Sequence, residues 1–223
     1  MPTTAITAIV FDLDGVLIDS NRIWGEVVTN FVRRQGGTWR APTPEEAMAG
    51  SNSAEWSSWF KETCRLAMSA QDVRDGIIAG IIESYHRHLP LMPGAVDTVR
   101  LLAQHFKVGL ASASPRKVID LVLEHGGLAP YFEATVSADE VLKGKPDPQV
   151  YVDACRRLGV HAAESVAVED APDGLRAAKA AGLWTIAVPP VHPSAADENR
   201  RLADLMVDDI RRITPEVVAS VLE

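Results

Sequence analysis

The sequence predicts an α/β fold, in which a Rossmann-like parallel sheet carries helices on both faces and an all-helical domain is inserted after the first strand. From Pro93 onward, short apolar runs alternate strictly with amphipathic stretches, which is typical of strands and helices around a parallel sheet. Residues 19–89, by contrast, show helical periodicity and no strand signal. We therefore expect residues 1–18 and 90–223 to form the sheet domain, and residues 19–89 to form the helical one.

The first strand and the helical segment follow from apolar patterning. The apolar run at residues 6–11 predicts a fully buried strand, which ends abruptly at Asp12 and Asp14. An apolar stripe then predicts a helix that stops at Gly36 and Gly37, because glycine readily ends a helix. The predicted helices of this segment span residues 21–35, 53–67 and 69–86.

The remaining elements alternate along the chain. Strands are predicted at residues 108–111, 134–136, 165–168, 185–188 and 205–207. Helices are predicted at residues 96–104, 117–125, 148–158 and 174–181. Because consecutive parallel strands need a crossover connection, this alternation favours one sheet that is covered on both faces.

The composition is that of an ordinary globular protein, with 47% hydrophobic and 23% charged residues. The net charge of −8 argues against a general affinity for nucleic acid or for anionic membranes. No apolar run approaches the ~20 residues of a membrane span, and no signal-peptide pattern opens the chain. We expect a cytoplasmic, monomeric protein in which Cys64 and Cys155 are free thiols.

Polar residues stand where the predicted strands end, and one loop adds a lysine. They are Asp12, Asp14, Ser112, Lys145, Glu169 and Asp170. Since the carboxyl ends of parallel strands converge at one edge of a sheet, we expect these side chains to meet. Asp12 and Asp14 with the following glycine are, by themselves, equally compatible with a solvated turn or a calcium loop. Their conjunction with the other strand ends indicates a site.

The carboxylates favour a magnesium site. Four carboxylates in a small space repel one another unless a cation lies among them. Oxygen ligands suit Mg²⁺, which also takes a substrate phosphate oxygen, whereas zinc is disfavoured because no histidine or cysteine belongs to the group. A lysine and a hydroxyl beside such a metal form a pocket of phosphate size. We therefore expect a small phosphorylated metabolite as the ligand.

These residues resemble the four motifs of the haloacid dehalogenase superfamily of phosphotransferases. Residues 12–16 (Asp-Leu-Asp-Gly-Val) are similar to its first motif, Ser112 to its second, Lys145 to its third, and the pair Glu169 and Asp170 to its fourth. The resemblance covers the whole chain, including a helical cap domain inserted after the first motif. The sequence around Ser112 and Lys145 is most similar to the branch of beta-phosphoglucomutases and hexitol (2-deoxyglucose-6-phosphate) phosphatases.

The resemblance implies a mechanism with two catalytic carboxyl groups. Asp12 would be the nucleophile and form an aspartyl-phosphate. Asp14 would protonate the leaving alcohol and then activate the incoming water. The Mg²⁺ ligands would be Asp12, the backbone carbonyl of Asp14 and Asp170, with Glu169 in an outer-shell or water-bridged role.

The resemblance also implies a phosphate-binding set, which consists of Asp12, Asp14, Ser112, the amide of Ala113 and Lys145. Lys143 competes with Lys145 for the lysine role, but Lys145 immediately precedes the Pro-Asp-Pro turn and is preferred. Second-rank candidates, which are more typical of turns or helix caps, are Ser114, Arg116 and Asp173.

The cap favours hydrolysis over transfer between substrates. Beta-phosphoglucomutases carry a histidine, a lysine and an arginine where this sequence has Trp24, Ala49 and Ser53. A mutase must hold and reorient a bisphosphate, so these differences indicate a phosphatase of a small sugar or polyol phosphate. The alternatives are a sugar phosphate mutase and a non-enzymatic phosphate-binding regulator.

Four of the five tryptophans lie in the helical segment, namely Trp24, Trp39, Trp56 and Trp59. A small bundle needs bulky side chains to build its core, and this role is the one we predict for most of them. The alternative is that one or two of them line a pocket that faces Asp12.

Overall fold

A computed structural model of the chain describes residues 5–39, 47–48, 50–189 and 195–222. Its six strands all pair in parallel, in the order β3-β2-β1-β4-β5-β6. They are β1 (Ala8–Phe11), β2 (Lys107–Ser112), β3 (Ala134–Ser137), β4 (Ser165–Glu169), β5 (Trp184–Ala187) and β6 (Leu205–Met206). Every predicted strand is present, and the bounds differ from the predicted ones by at most two residues. The direction of strand addition reverses between β1 and β4, and this switch point is where parallel sheets bind ligands.

Three cap helices that lie wholly within the described ranges are inserted between β1 and β2. They are α1 (Asn21–Arg34), α2 (Ser53–Thr63) and α3 (Ala70–Arg87). A capping box opens α2, because Asn52 Oδ1 accepts from the amide of Glu55 at 3.0 Å and Glu55 Oε2 accepts from the amide of Asn52 at 2.8 Å. The prediction that α2 reaches residue 67 is wrong. The helix ends at Thr63 and the backbone turns through a left-handed conformation at Arg65, with φ of 56°.

Six further helices of the described ranges surround the sheet. They are α4 (Ala95–Leu102), α5 (Arg116–His125), α6 (Gln149–Leu158), α7 (Pro172–Ala180), α8 (Ala196–Leu202) and α9 (Pro215–Ala219). Alternate residues of β1 enter two separate cores: Ile9 and Phe11 pack with α4, α5 and α9, whereas Ala8 and Val10 pack with α6 and α7. The sheet is therefore buried on both faces, and the predicted fold class is confirmed.

The chain enters and leaves the cap helices side by side. The amide of Asp19 donates to the carbonyl of Pro90 at 2.8 Å, and the amide of Met92 donates to the carbonyl of Leu17 at 2.9 Å. A cap that moves would pivot on these two paired links. The domain bounds at residues 18 and 89 fall within them and stay a prediction.

The described helices include none that is long and apolar enough to span a membrane. Cys64 and Cys155 are both buried free thiols, as predicted.

Candidate active site

The carboxyl ends of β1, β2 and β4 face the cap across a cavity of about 360 Å³. The sheet side of this cavity presents Asp12, Asp14, Lys145, Glu169 and Asp170. Five of the six residues predicted to meet at the strand ends therefore line one space. The sixth, Ser112, lies directly behind it.

Asp12 and Asp14 lie at the end of β1, where the strand gives way to a tight turn. The amide of Asp12 still donates to the carbonyl of Val168 on β4 at 2.9 Å, and this bond fixes the Asp12 backbone at the sheet edge. Gly15 follows with φ of 80°, and a Cβ there would lie 2.2 Å from Asp170 Oδ2. Only glycine allows this turn to approach Asp170 so closely.

Lys145 joins two buried carboxylates. Its Nζ donates to Asp12 Oδ1 at 2.8 Å and to Glu169 Oε1 at 2.6 Å. All three residues are buried, so solvent screens these ion pairs little. Burial by itself lowers the pKa of Lys145, but the charges of Asp12 and Glu169 outweigh it and raise that pKa above its ordinary value. The lysine is therefore cationic throughout the physiological pH range.

Asp12, Glu169 and Asp170 form the acidic group that could hold a metal ion, since one oxygen of each lies within 4.8 Å of the others. Burial and the charges of Glu169 and Asp14 together raise the pKa of Asp12 to about 7, despite the lowering effect of Lys145. A carboxylate with so strong an affinity for a proton lies in a site with too little positive charge. A hard divalent cation with oxygen ligands fits this group.

Ser114 orients Asp14. Its Oγ donates to Asp14 Oδ2 at 2.7 Å, and its amide donates to Ser112 Oγ at 3.0 Å. The other Asp14 oxygen, Oδ1, is buried and accepts no hydrogen bond from the described residues. Ala113 and Ser114 line the cavity, whereas Ser112 is fully buried behind them. The phosphate-binding roles of Ser112 and Ala113 stay predictions.

The second-rank candidates separate into two groups. Ser114 and Asp173 line the cavity, and Asp173 pairs with Arg176 at its mouth. Lys143 is exposed and outside the cavity lining, and Arg116 is bonded to Glu140 and Thr135 instead. The preference for Lys145 over Lys143 agrees with this arrangement.

The tryptophans of the cap both build its hydrophobic core and line the cavity. Trp24 and Trp56 are buried, contact each other edge to face at 6.3 Å between ring centroids, and line the cavity. Trp39 and Trp59 pack on Phe60 away from the cavity lining. The two predicted roles of the cap tryptophans are thus both present. Ser53 is buried and its amide donates to Asp139, while Ala49 lies outside the described residues.

Two residues contact the predicted site residues more directly than the sequence indicates. Ser114 is a second-rank candidate in the sequence, more typical of a turn or cap, although its hydroxyl contacts a predicted catalytic carboxyl group. Tyr151 was not singled out, although its hydroxyl donates to Glu169 at 2.6 Å. Tyr151 lies three residues after the Lys-Pro-Asp-Pro turn, at an apolar position of the predicted helix, where it carries a hydroxyl group. That hydroxyl is the sequence signal that could have identified it.

Comparisons with known proteins agree with this geometry. A family model for haloacid dehalogenase-like hydrolases matches residues 6–182. Hexitol phosphatase B of Escherichia coli (strain K12) is 34% identical over 212 residues, which cover 94% of this chain and 95% of that protein. The beta-phosphoglucomutase of Clostridium difficile superposes with a TM-score of 0.83 at 21% identity, covering 97% of each chain. CbbY of Rhodobacter sphaeroides, solved with phosphate, superposes with a TM-score of 0.80 at 24% identity, covering 93% of this chain and 96% of that one.

The chain belongs to the haloacid dehalogenase-like hydrolases. Within that family it is a phosphoric monoester hydrolase of the branch to which hexitol phosphatase B belongs. The two solved structures, both under 25% identical, support the fold alone.

Proposed function

We propose that this protein is a Mg²⁺-dependent phosphatase that hydrolyses a small sugar or polyol phosphate through an aspartyl-phosphate intermediate. The observation that carries the proposal is the buried Asp12 carboxylate, which lies at the cavity wall, bonded to Lys145 and two residues from a second carboxyl group. A nucleophile, a cation for the phosphoryl group and an acid/base are thereby within reach of one substrate.

Asp12 attacks phosphorus, so that a carboxylate oxygen–phosphorus bond forms while the phosphorus–alkoxy oxygen bond breaks. Asp14 gives its proton to the departing alkoxide and later takes one from the water that attacks the acyl phosphate. The Ser114 hydroxyl donates to Asp14 Oδ2 and so orients the carboxyl group for these transfers. Water attack breaks the bond between phosphorus and Asp12 and regenerates the carboxylate.

Asp12, Asp170 and the carbonyl of Asp14 would hold Mg²⁺, with Glu169 acting through water. When bound, Mg²⁺ neutralises charge on the phosphoryl group and on the surrounding carboxylates. Lys145 supplies the remaining positive charge and orients the phosphoryl oxygens. Glu169, whose Oε1 already accepts two hydrogen bonds, is suited to an indirect role.

The cap side of the cavity favours a neutral, hydroxylated leaving group. Its described lining residues carry no charge, and they are Asn21, Trp24, Met48, Gly50, Ser51 and Trp56. Indole rings pack well against the C–H faces of a sugar or polyol. A second phosphate would meet no cation on the cap side, and Arg176, which lines the cavity from the sheet domain, is already paired with Asp173 and Glu198. The substrate of the relative hexitol phosphatase B, as its name states it, is of the favoured class.

We expect the purified full-length protein to release phosphate from hexose or hexitol monophosphates with Mg²⁺. Chelation by EDTA should lower the rate by at least ~100-fold, because the carboxylate group then repels the phosphoryl dianion. Sugar bisphosphates should be poorer substrates, and a coupled assay with a bisphosphate primer should detect no exchange between 1- and 6-phosphates. Absence of release across a broad ester panel would exclude the phosphatase, and primer-dependent interconversion would establish the mutase.

We expect Trp24→Phe to raise KM for a hexitol phosphate about fivefold, since losing part of an aromatic contact costs on the order of 1 kcal/mol. Inhibition by inorganic phosphate should be unchanged, because Trp24 lies on the cap side of the cavity. Trp59→Phe is the matched control, as it makes the same change in a cap tryptophan outside the cavity lining. Equal KM shifts in both variants would contradict a role of Trp24 in substrate binding.

A further inference from the structure

Tyr151 is a buried residue of α6 that belongs to none of the four motifs. Its hydroxyl donates to Glu169 Oε1 at 2.6 Å, and its ring centroid lies 5.1 Å from Lys145 Nζ. The side chain is fully enclosed. A single tyrosine thus contacts two charged residues of the site through two different parts of its side chain, the ring and the hydroxyl.

The hydrogen bonds of Glu169 show what the tyrosine does. Oε1 accepts from both Lys145 and Tyr151, and Oε2 accepts from the amide of Asp170 at 3.2 Å. A Cβ on Gly174 would lie 1.9 Å from Oε1, so the carboxylate packs directly against the α7 backbone at this glycine. Glu169 is therefore fixed in place and shares one oxygen between two donors.

The hydrogen bonds of Lys145 show how many of its protons remain for a substrate. An ammonium group has three protons, of which Asp12 and Glu169 take two. The third is available to a phosphoryl oxygen, since Lys145 lines the cavity. Without a competing donor on Oε1, Glu169 would attract the ammonium more strongly and draw it away from Asp12 and from that oxygen.

We propose that Tyr151 is a positioning residue, which holds Lys145 toward Asp12 and the phosphoryl group by sharing Glu169 Oε1 and by placing its ring beside the ammonium. The proposal rests on the phosphatase function and deepens it. Burial and the charges of Glu169 and Asp12 raise the pKa of Tyr151, so the hydroxyl keeps the proton that it donates. The ring adds a cation–π attraction for Lys145.

The test is Tyr151→Phe, which removes the hydroxyl and keeps the ring. Because a hydrogen bond to a charged group is lost, we expect kcat/KM to fall about tenfold or more. The dissociation constant of inorganic phosphate, measured by calorimetry with Mg²⁺ present, should rise by a similar factor. Tyr151→Leu, which also removes the ring, should weaken phosphate binding further. Tyr131→Phe makes the same chemical change in a half-buried tyrosine outside the cavity lining and should change neither quantity.

The two readouts separate this proposal from the proposed function. Both quantities are measured at a temperature where circular dichroism shows each variant to be folded, because the apparent phosphate affinity falls with the folded fraction. Under that condition a tyrosine that only stabilises the fold would lower the melting temperature and leave phosphate affinity and kcat/KM unchanged. That result, within twofold of the parent, would overturn the positioning role. If the parent hydrolysed no ester but bound phosphate, and Tyr151→Phe weakened that binding, the phosphatase function would fail and the positioning role would stand. A parent that binds no phosphate with Mg²⁺ would overturn both.

Discussion

Replacing Asp12 with asparagine should lower kcat for phosphate release by roughly 10⁴-fold or more, because the step that forms the covalent intermediate loses its nucleophile. The amide keeps an oxygen that can accept from Lys145, whose bond to Asp12 Oδ1 is 2.8 Å long in the parent. The shape of the site and the position of Lys145 should therefore remain. We expect KM and phosphate affinity to change far less than kcat.

The intermediate itself can be trapped on Asp12. Rapid acid quench of the parent during turnover, followed by peptide mass spectrometry, should find a phosphoryl group on the peptide that carries Asp12. The Asp12→Asn variant should show none, whereas Asp97→Asn, an exposed carboxyl group on α4, should behave as the parent. A phosphoryl group on another residue, or turnover in Asp12→Asn above about 1% of the parent rate, would contradict the assignment.

The position of Asp12 could be predicted because strand ends are visible in a sequence. An apolar run that stops at a carboxylate predicts both a strand and its boundary, and parallel topology then brings distant boundaries together. Lys145 follows no strand, and its identification depended on the loop that carries it. Its selection over Lys143 depended on the adjacent Pro-Asp-Pro turn, and of these two lysines Lys145 is the one that is buried and lines the cavity.

Contacts that depend on how helices approach the sheet could not be predicted. In the sequence, Tyr151 occupies an apolar position of α6, and such a position predicts a core side chain. The role of its hydroxyl depends on the distance between α6 and the end of β4, which no local pattern encodes. The early end of α2 is a second example, since nothing in the local sequence requires Arg65 to adopt a left-handed conformation.

The cap tryptophans show a third kind of difference. Burial and cavity lining were considered as alternatives, yet Trp24 and Trp56 do both. An indole is large enough to fill the space between cap helices with one edge and to face the site with another. Periodicity predicts which residues point inward, but it does not distinguish a filled interior from the wall of a cavity.

Replacing Lys145 with methionine should destabilise the metal-free protein by about 3–5 kcal/mol at a pH where its carboxylate partners are ionised, because removing one partner of a buried ion pair leaves uncompensated charge. Asp12 and Glu169 would then lie in the interior with no lysine between them. Phosphate release should fall by about 10³-fold as well, since the phosphoryl group loses its protein cation. Lys61→Met, on an exposed position of α2, is the matched control and should lose neither activity nor stability.

The pH dependence of the stability loss in Lys145→Met shows whether the lysine stabilises the fold through its charge or through its packing. The charge of Lys145 lowers the pKa of Asp12, so its removal should raise that pKa above its value of about 7 in the parent. A carboxyl group whose pKa is raised on folding costs no stability below its ordinary pKa of 3.8, and the cost grows as the pH rises toward the folded-state value. Parent and variant share this cost up to about pH 7, and above that pH it grows further in the variant alone. Urea denaturation with EDTA should therefore show a small difference in stability between variant and parent near pH 4 and a larger one near pH 8. Because Mg²⁺ would supply positive charge to the same carboxylates, adding it should reduce the difference in unfolding free energy between variant and parent. A difference that is equal at both pH values would mean that the lysine stabilises the fold through the packing of its alkyl chain, and not through its charge.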